Sequence, residues 1–388
     1  MEKQPLKIAI MGAGAIAATH IQAYQQFPDL CQITAICDLF VDKAQKLADE
    51  HKLAANVYQT LDEALSQADF DAVSICLPPD AHCETAVTSL NAGKHVLCEK
   101  PMAASLEECD RMISAAQANG KLLSIVCQNR FKTPMQKVKA LIDQQTAGRV
   151  LFAAVNSLWW RGANYYDIWW RGTWEKECGG SMTSHAVHHL DLLQWMLGMP
   201  KRITSVIANV GHDNSECEDV GMAILEYDDK IAQLTASLVS HGEAQDMTFQ
   251  CEKGRLSIPW DPAVNKALGN GFPEADQQAL QSLQEAYANL ADLNLENHPA
   301  QILNFLRAIQ GEETLLIDGN AGRNTIELIM AIYRSAALRQ PVMLPLTPDD
   351  PFYRKPSMNA IMPRFHEKTR SVDNFSTSKI TFSRDVGK

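Results

Sequence analysis

The triplet Glu99-Lys100-Pro101 places a carboxylate and a lysine side by side, directly after the short apolar run His95 to Cys98. Such a run is typical of a buried parallel strand, and the carboxyl ends of parallel strands line the ligand crevice of an open α/β sheet. A lysine at that edge can polarise a reacting oxygen, and a nearby titratable group can carry the proton. The triplet therefore predicts proton-coupled chemistry in this crevice.

A glycine turn near the N-terminus predicts what else binds there. The apolar run Ile8 to Met11 leads into Gly12-Ala13-Gly14-Ala15-Ile16-Ala17, which fits the G-x-G-x-x-A dinucleotide fingerprint. Gly12 permits the tight turn, Gly14 lets a pyrophosphate approach the backbone, and the first-turn amides at Ala15 and Ile16 face the anion. An ordinary turn can have the same sequence, so the context given by other residues of the chain must distinguish a dinucleotide site from such a turn.

That context is an acidic residue at the end of the next strand. Ile33 to Cys37 ends in Asp38, 21 residues after Ala17, where dinucleotide folds place the carboxylate that holds the adenosine ribose. A carboxylate repels a 2′-phosphate, and Leu39 and Phe40 offer no guanidinium to receive one, so NAD is favoured over NADP. The alternative is a solvated carboxylate at a strand end.

The first half alternates strand and helix, and six short parallel strands are predicted before residue 128. Further cofactor contacts are expected wherever a loop leaves the carboxyl end of a strand. His82 has an alternative as a helix N-terminal residue without such a role. The predicted contacts, beside the glycine turn and Asp38, are Leu77, Pro78, His82, Glu99, Lys100 and Asn129.

Composition narrows the class of partner. The chain has 388 residues and a net charge of −11, and it has no Lys/Arg cluster, which argues against nucleic acid. It has no run of eighteen apolar residues, so no membrane partner is expected. The start, MEKQPLKIAI, enters the first strand without room for a secretory signal, and ten cysteines are scattered without C-x-x-C pairs. We therefore expect a cytoplasmic protein.

Several motifs in fixed order resemble one family. They are GAGAIA, CDLF, LPPDAH, CEKP, QNRF and GGSMTSHAVHHLD followed by LLQWMLG. Over residues 6 to 345 the chain resembles the Gfo/Idh/MocA family of glucose–fructose oxidoreductases and inositol dehydrogenases. The resemblance implies an α/β fold with a Rossmann dinucleotide-binding domain (residues 1–128) and an α/β domain with a large, mostly antiparallel sheet (residues 129–345). That sheet is open on one face, through which a homodimer or homotetramer is expected. Residues 346–388 are predicted to form an extension that wraps a neighbour or is partly disordered.

The resemblance also implies a site. It places Lys100 at the reacting carbon and His188 at the family's histidine, so these two are the expected catalytic residues. Ser184 falls where many members have an aspartate. A serine can orient an imidazole, but it cannot stabilise the cation as a carboxylate would.

An aromatic segment opens the second domain, with two arginines interleaved. It is either a hydrophobic plug or oligomer contact, or a platform on which sugar rings stack while arginines donate to hydroxyls. We expect both uses. The predicted substrate contacts are Arg161, Tyr165, Arg171, Ser184, His185 and His188 together with Lys100, and Trp170 and Arg171 are also assigned to the cofactor site.

Three functions are weighed. The first, which the resemblance implies, is NAD-dependent hydride transfer with a secondary alcohol or ketone of a sugar, sugar derivative or inositol. The second is a redox-neutral NAD-dependent glycosidase that works by transient oxidation and elimination, and the third is a regulatory protein that binds the cofactor without catalysis. A metal site is also weighed, because His185 and His189 lie one helical turn apart, but the sequence lacks H-E-x-x-H and no metal is expected.

Overall fold

The first half of the chain alternates strands and helices in the computed structural model, which describes residues 4–373. Its elements are β1 (Leu6–Met11), α1 (Ala15–Tyr24), β2 (Cys31–Cys37), α2 (Val41–Glu50), β3 (Asn56–Tyr58), α3 (Leu61–Gln67), β4 (Ala72–Ile75), α4 (His82–Asn91), β5 (His95–Cys98), α5 (Leu106–Ala118) and β6 (Leu123–Ile125). All neighbouring strands pair in parallel, in the order β3-β2-β1-β4-β5-β6. This is the strand order of a Rossmann fold.

The order places the ligand crevice. The chain reverses direction across the sheet between β1 and β4, and ligands bind outside the carboxyl ends of strands at such a switch point. The turn after β1 opens there, and β5 delivers Glu99 and Lys100 to the same edge. The predicted Rossmann domain is confirmed.

The second half builds a larger sheet. Its elements are α6 (Thr133–Asp143), β7 (Val150–Trp160), a π-helical turn (Met182–Ala186), α7 (Val187–Leu197), β8 (Arg202–Ala208), β9 (Val220–Glu226), β10 (Ile231–Ser237), β11 (Val239–Cys251), β12 (Gly254–Ile258), β13 (Asn265–Ala267), β14 (Pro273–Ala275), α8 (Gln277–Ala288), α9 (Asn297–Ile309), α10 (Gly319–Leu338) and β15 (Val342–Met343). Seven strands pair in the order β12-β11-β7-β10-β9-β8-β15, and among these pairs only β7 and β10 run parallel.

One face of this sheet is covered and the other is exposed. Strands β8 to β10 alternate buried and exposed residues, as expected when a single face packs on a core. The exposed side chains include Val206, Met222 and Ile224, whereas α10 packs on the covered face. The predicted mostly antiparallel, one-sided sheet is confirmed.

Helix α9 departs from the predicted domain division. Its apolar stripe, Ile302, Phe305 and Leu306, is buried in one cluster with Ile8 and Ile10 of β1. The chain therefore returns from the second half to cover the Rossmann sheet. The range 129–345 includes a helix whose apolar face belongs to the core of the first half.

The C-terminal extension packs on its own chain. It contains a 3₁₀ turn at Pro351–Tyr353 and the helix α11 (Lys355–Ile361), and then runs extended to residue 373. The polar partners of its described residues lie on loops of the same chain. That the extension wraps a neighbour stays a prediction. Residues 374–388 lie outside the described part. Within residues 4–373, every helix is too short or too polar to cross a bilayer.

Candidate active site

The glycine turn after β1 has the geometry that a dinucleotide needs. Gly12 has φ +97°, and an added Cβ would lie 2.6 Å from the carbonyl oxygen of Cys76, so only glycine fits. A Cβ on Gly14 would meet no atom within 4 Å, which means that the backbone there faces open space. Helix α1 begins at Ala15, so the amides of Ala15 and Ile16 have no acceptors within the helix, whereas that of Ala17 bonds the carbonyl oxygen of Gly14 at 3.1 Å. The turn therefore fits a pyrophosphate.

Asp38 lies at the end of β2 beside this turn. Its Oδ2 accepts from the backbone amide of Ala13 at 2.7 Å, and its Oδ1 accepts from that of Phe40 at 2.9 Å. A carboxylate has about four lone-pair sites, so both oxygens can still accept ribose hydroxyls. The next two side chains, Leu39 and Phe40, are largely exposed and carry no charge. This arrangement can hold the hydroxyls of an adenosine ribose.

His82 has a different position from the predicted one. Its side chain is fully buried, and its two ring nitrogens lie 2.8 Å from the carbonyl oxygens of Pro101 and Leu77. Burial lowers its pKa. Direct contact of His82 with a cofactor therefore has no support in the geometry. Instead, the imidazole joins the loop of Leu77 and Pro78 to the backbone just after Lys100.

Lys100 is held by its neighbours on both sides. Its backbone amide donates to Glu99 Oε2 at 3.1 Å, and its Nζ donates to the carbonyl oxygen of Ser184 at 3.3 Å. Burial and the nearby charge of Arg171 lower its pKa, and Glu99 opposes that shift. A lysine with a lowered pKa can exchange a proton with a substrate hydroxyl more readily than an ordinary one.

Glu99 forms a buried pair with His20 on α1. His20 Nε2 lies 3.0 Å from Glu99 Oε1, and its Nδ1 lies 2.7 Å from Ser74 Oγ. Burial disfavours the charge on Glu99, but the hydrogen bond and charge of His20, with the charge of Lys100, lower the pKa of Glu99 to about 2. The carboxylate is therefore ionised and holds the Lys100 backbone in place.

The same pair belongs to a group with metal-ligand chemistry. In the part of the chain that the structure describes, ligand atoms of His20, Glu99 and His298 lie within 4.8 Å of one another. Although burial lowers the pKa of His20, Cys76 and Glu99 raise it overall, which favours an imidazolium that donates from both nitrogens. The 3.0 Å contact between His20 Nε2 and Glu99 Oε1 has the geometry of a buried ion pair.

The π-helical turn before α7 brings Ser184 against a different histidine from the predicted one. The Ser184 hydroxyl donates to the carbonyl oxygen of Gly180 at 2.7 Å, and it lies 2.8 Å from His185 Nδ1. With its proton on Gly180, the hydroxyl accepts from Nδ1–H, which leaves His185 Nε2 as a lone-pair acceptor. A π-helical turn holds more residues than an α-helical one, so positions four apart are rotated relative to one another. The expectation that Ser184 orients His188 is therefore replaced by contact with His185.

His185 and His188 both lie in the field of Lys100. Burial lowers the pKa of each well below its ordinary value, and the charge of Lys100 adds to both shifts. His188 Nδ1 is buried, and within residues 4–373 no hydrogen-bond partner lies near it. Both rings are therefore neutral near pH 7 and able to accept a proton.

The aromatic segment places two arginines between rings. The Arg171 guanidinium lies 4.2 Å from the ring of Tyr165 and 4.3 Å from that of Trp170, and it also bonds the Tyr165 hydroxyl. Arg161 lies 5.5 Å from the ring of Trp159 and 5.7 Å from that of Tyr165. The ring of Tyr165 lies 5.9 Å from that of His185, so the predicted substrate residues meet.

Each arginine is paired with a carboxylate that the sequence analysis did not identify. Arg171 Nη1 lies 3.0 Å from Glu177 Oε1, and Arg161 Nη1 lies 3.1 Å from Glu243 Oε1. The two carboxylate side chains are only 2% and 5% exposed. No spacing rule links either glutamate to its arginine, because a loop places Glu177 and an irregularity in the pairing of β11 with β7 places Glu243. Each arginine therefore keeps N–H groups that can donate near the site, while the paired glutamate balances its positive charge.

The other aromatics have structural or surface positions. Tyr166 and Trp174 are completely buried, as the hydrophobic-plug interpretation predicts, whereas Trp160 and Trp169 are 42% and 44% exposed.

A buried ion pair fixes α7 relative to the Rossmann half. Arg130 directly follows Asn129, a predicted cofactor contact. Its guanidinium donates to both carboxylate oxygens of Asp191, at 2.8 and 2.7 Å. Bidentate pairs of this kind fix orientation as well as distance. Asp191 therefore hydrogen-bonds across the interface between the two halves.

Comparisons with known proteins agree with this architecture. Residues 6–126 match the Gfo/Idh/MocA oxidoreductase family, NAD-binding Rossmann fold, and residues 139–344 match its C-terminal alpha/beta domain. The chain is 27% identical over 353 residues to the D-glucoside 3-dehydrogenase of Escherichia coli K12, which covers 87% of this chain and 97% of that protein. It is 26% identical over 298 residues to an inositol 2-dehydrogenase/D-chiro-inositol 3-dehydrogenase of Shouchella clausii, with 75% and 82% covered.

A solved structure shows the same arrangement of both halves. The WlbA dehydrogenase from Bordetella pertussis, in complex with NADH and UDP-GlcNAcA, superimposes with a TM-score of 0.77 and 28% identity, covering 89% of this chain and 100% of that one. With the family matched over both halves, the chain belongs to the Gfo/Idh/MocA family of NAD-binding oxidoreductases.

Proposed function

We propose that the protein transfers a hydride between NAD and a secondary alcohol or ketone of a neutral sugar, glycoside or inositol. The observation that carries this proposal is the position of Lys100, whose ammonium group lies between the crevice edge and the π-helical turn. That turn carries His185, and the first turn of α7 carries His188; burial lowers the pKa of both histidines. Bound NAD supplies the hydride acceptor for oxidation. The substrate then needs a group that polarises its oxygen and a base that takes the hydroxyl proton.

Lys100 and His188 are proposed for these roles. The Lys100 ammonium donates to the reacting oxygen and stabilises the negative charge that develops as the hydride leaves carbon. His188, neutral because burial lowers its pKa, accepts the hydroxyl proton. His185, whose Nδ1 is held by Ser184, presents its Nε2 to the same region and is proposed to orient a neighbouring hydroxyl. Reduction uses the same groups with the proton moving the other way.

The charge balance of the pocket supports a neutral substrate. A sugar carboxylate or diphosphate needs a cation that is not already paired, and both pocket arginines are paired with buried glutamates. Their remaining N–H groups can donate to hydroxyls, and the rings of Trp159 and Tyr165 offer faces for sugar C–H groups. This is the chemistry of a neutral pyranose or cyclitol.

Screening for NADH formation tests the proposal. Purified protein with NAD is offered glucosides, free sugars, inositols and uronic acids, and oxidation of a neutral polyol is expected. NAD that binds tightly while no polyol is oxidised contradicts the proposal. Release of nitrophenol from nitrophenyl glycosides without net NADH points instead to the redox-neutral glycosidase.

We infer that NAD is the cofactor in preference to NADP because of Asp38. Replacing Asp38 with Ala removes the carboxylate that repels a 2′-phosphate, so the ratio of kcat/KM with NADP to that with NAD is expected to rise about tenfold or more. A ratio that does not change shows that another group selects the cofactor.

We also infer a homo-oligomer assembled through the open face of the second sheet. Val206, Met222 and Ile224 are each between 46% and 65% exposed on neighbouring strands, and contiguous apolar patches of this kind mark protein contacts. The double variant Met222→Asp, Ile224→Asp is expected to reduce the mass measured by light scattering to that of a monomer. A wild-type protein that is already monomeric refutes this inference.

A further inference from the structure

The final described segment, residues 363–373, lies beyond residue 344, where the match to the family's C-terminal domain ends. We call these residues the strap. They follow α11 and contain no helix. Trp174 donates to the carbonyl oxygen of Pro363 at 3.0 Å, and most other polar partners of the strap lie on two loops of the second domain. One is the aromatic loop, residues 163–172, and the other is the supporting loop, residues 213–216.

The strap pairs with the backbone of the aromatic loop. The Val372 amide donates to the carbonyl oxygen of Asp167 at 2.7 Å, and the Trp169 amide donates to that of Val372 at 3.0 Å. These two bonds form a parallel bridge between Ile168 and Val372. The Lys368 ammonium also donates to the carbonyl oxygen of Tyr166. Backbone groups at three successive points of the loop are therefore fixed by the strap.

Asn214, at the centre of the supporting loop, connects the strap to the aromatic loop. Its side chain is fully buried, and its Oδ1 accepts from the backbone amides of Thr369 at 2.8 Å and Arg370 at 2.9 Å. Its Nδ2 donates to the carbonyl oxygens of Tyr166 and Arg370, both at 3.0 Å. The side chain of Arg370 pairs with Asp213 at 2.6 Å.

The aromatic loop carries two residues of the candidate site. Tyr165 directly precedes the carbonyl group that Asn214 and Lys368 hold, and Arg171 follows two residues after the Trp169 amide that bonds the strap. The segment has only a short 3₁₀ turn, Ala163–Asp167, as regular structure. Loops with few internal hydrogen bonds open easily unless other segments fix them. The strap supplies part of that fixation from the far end of the chain.

We propose that residues 363–373 are a positioning segment of the active site, which holds the aromatic loop so that Tyr165 and Arg171 meet the substrate. The strap does not touch the substrate, and it acts on substrate affinity through the loop. The kinetic part of this inference rests on the proposed function, whereas the structural part does not.

Two strap variants and one control test it. Val372→Pro removes the amide that donates to Asp167, and its side chain is 42% exposed, so the core is not disturbed. Truncation after Met362 removes the whole strap. The control is Arg354→Ala, which breaks an exposed ion pair to Glu107 in the same C-terminal extension, away from the aromatic loop.

Hydrogen exchange of the aromatic loop is the first measurement. Peptides covering residues 163–172 are expected to exchange about tenfold faster in both strap variants than in wild type, because opening breaks fewer bonds to the strap. Val372→Pro loses the amide that donates to Asp167 and keeps the carbonyl oxygen that accepts from Trp169, whereas the truncation loses both. The control is expected to match wild type. Equal exchange in wild type and Val372→Pro overturns the proposal, whatever the substrate is.

Kinetics is the second measurement, with the polyol found by screening. For Val372→Pro, KM for the polyol is expected to rise about fivefold to tenfold, while kcat and the Kd for NADH stay within about twofold. An equal rise in KM and in the Kd for NADH indicates general unfolding and overturns the positioning role. If wild type oxidises no polyol, the proposed function fails while the exchange experiment still decides on the strap.

Discussion

The pairing of Arg171 with Glu177 should set which substrates the enzyme rejects. In the variant Glu177→Gln the side chain keeps its size and can keep the bond to the Gly172 amide, now 2.7 Å from Glu177 Oε2. The negative charge 3.0 Å from Arg171 is lost. Arg171 then offers an unpaired cation to the substrate, so acidic sugars should gain affinity relative to neutral ones.

The size of the effect follows from Coulomb's law. The variant removes the repulsion between the Glu177 carboxylate and a substrate carboxylate about 8 Å away, which amounts to about 2 kcal/mol at an effective dielectric constant of about 20. Water and salt that enter with the substrate reduce this difference to roughly half. About 1.4 kcal/mol corresponds to a factor of ten, so the ratio of kcat/KM for a glucuronide to that for the matching glucoside should rise about fivefold.

The assay measures both substrates at about pH 8, because burial raises the pKa of Glu177 and alkaline conditions keep it ionised in wild type. As the pH falls through that raised pKa, Glu177 takes up a proton and the wild-type ratio should move toward that of the variant. The control is Glu252→Gln, which removes an exposed partner of Arg149 on another part of the surface. A folded Glu177→Gln protein whose substrate ratio stays within about twofold of wild type refutes the electrostatic argument.

Three further predictions concern the cofactor turn and the catalytic groups. Lys100→Met is expected to lower kcat by about 10² or more and to leave the Kd for NAD within about twofold, as stopped-flow and fluorescence titration can show. Gly14→Ala, whose Cβ meets no atom within 4 Å, should weaken NAD binding at an unchanged Tm, whereas Gly12→Ala, whose Cβ would lie 2.6 Å from a carbonyl oxygen, should lower the Tm as well. Ser184→Asp puts a carboxylate beside His185 and raises its pKa, so the ring becomes protonated as the pH falls and can no longer accept from a substrate hydroxyl; KM for the polyol should then rise at low pH more than in wild type, and a KM profile equal to that of wild type contradicts the proposed role of His185.

Local sequence patterns were sufficient to predict the fold and the cofactor turn of the Rossmann half. The turn at Gly12 depends on the backbone conformation of one residue, and the position of Asp38 depends on where β2 ends. Neighbouring residues determine both. The position of Lys100 at the crevice follows from the same rule for parallel strands. These parts of the fold are specified by short segments, and the structure places them as predicted.

Contacts between distant segments were not visible in the sequence. A loop pairs Glu177 with Arg171, and an irregularity in the pairing of β11 with β7 pairs Glu243 with Arg161. No periodic sequence pattern predicts either contact. The π-helical turn changed the partner of Ser184, because one extra residue in a turn rotates every later side chain. The strap was missed for a related reason: its partners are backbone carbonyl groups, which every residue type possesses.

Helix α9 limits how one half of the protein can be replaced by the corresponding half of another protein. Phe305 and Leu306 of α9 are completely buried in the cluster that contains Ile8 and Ile10, although about 300 residues separate them along the chain. A fragment that ends at residue 128 would expose the apolar surface of the Rossmann sheet that α9 covers. A chimera that grafts a new substrate domain onto this cofactor domain must therefore retain residues 297–309 with the N-terminal half, and a swap at residue 128 alone will yield an aggregating protein.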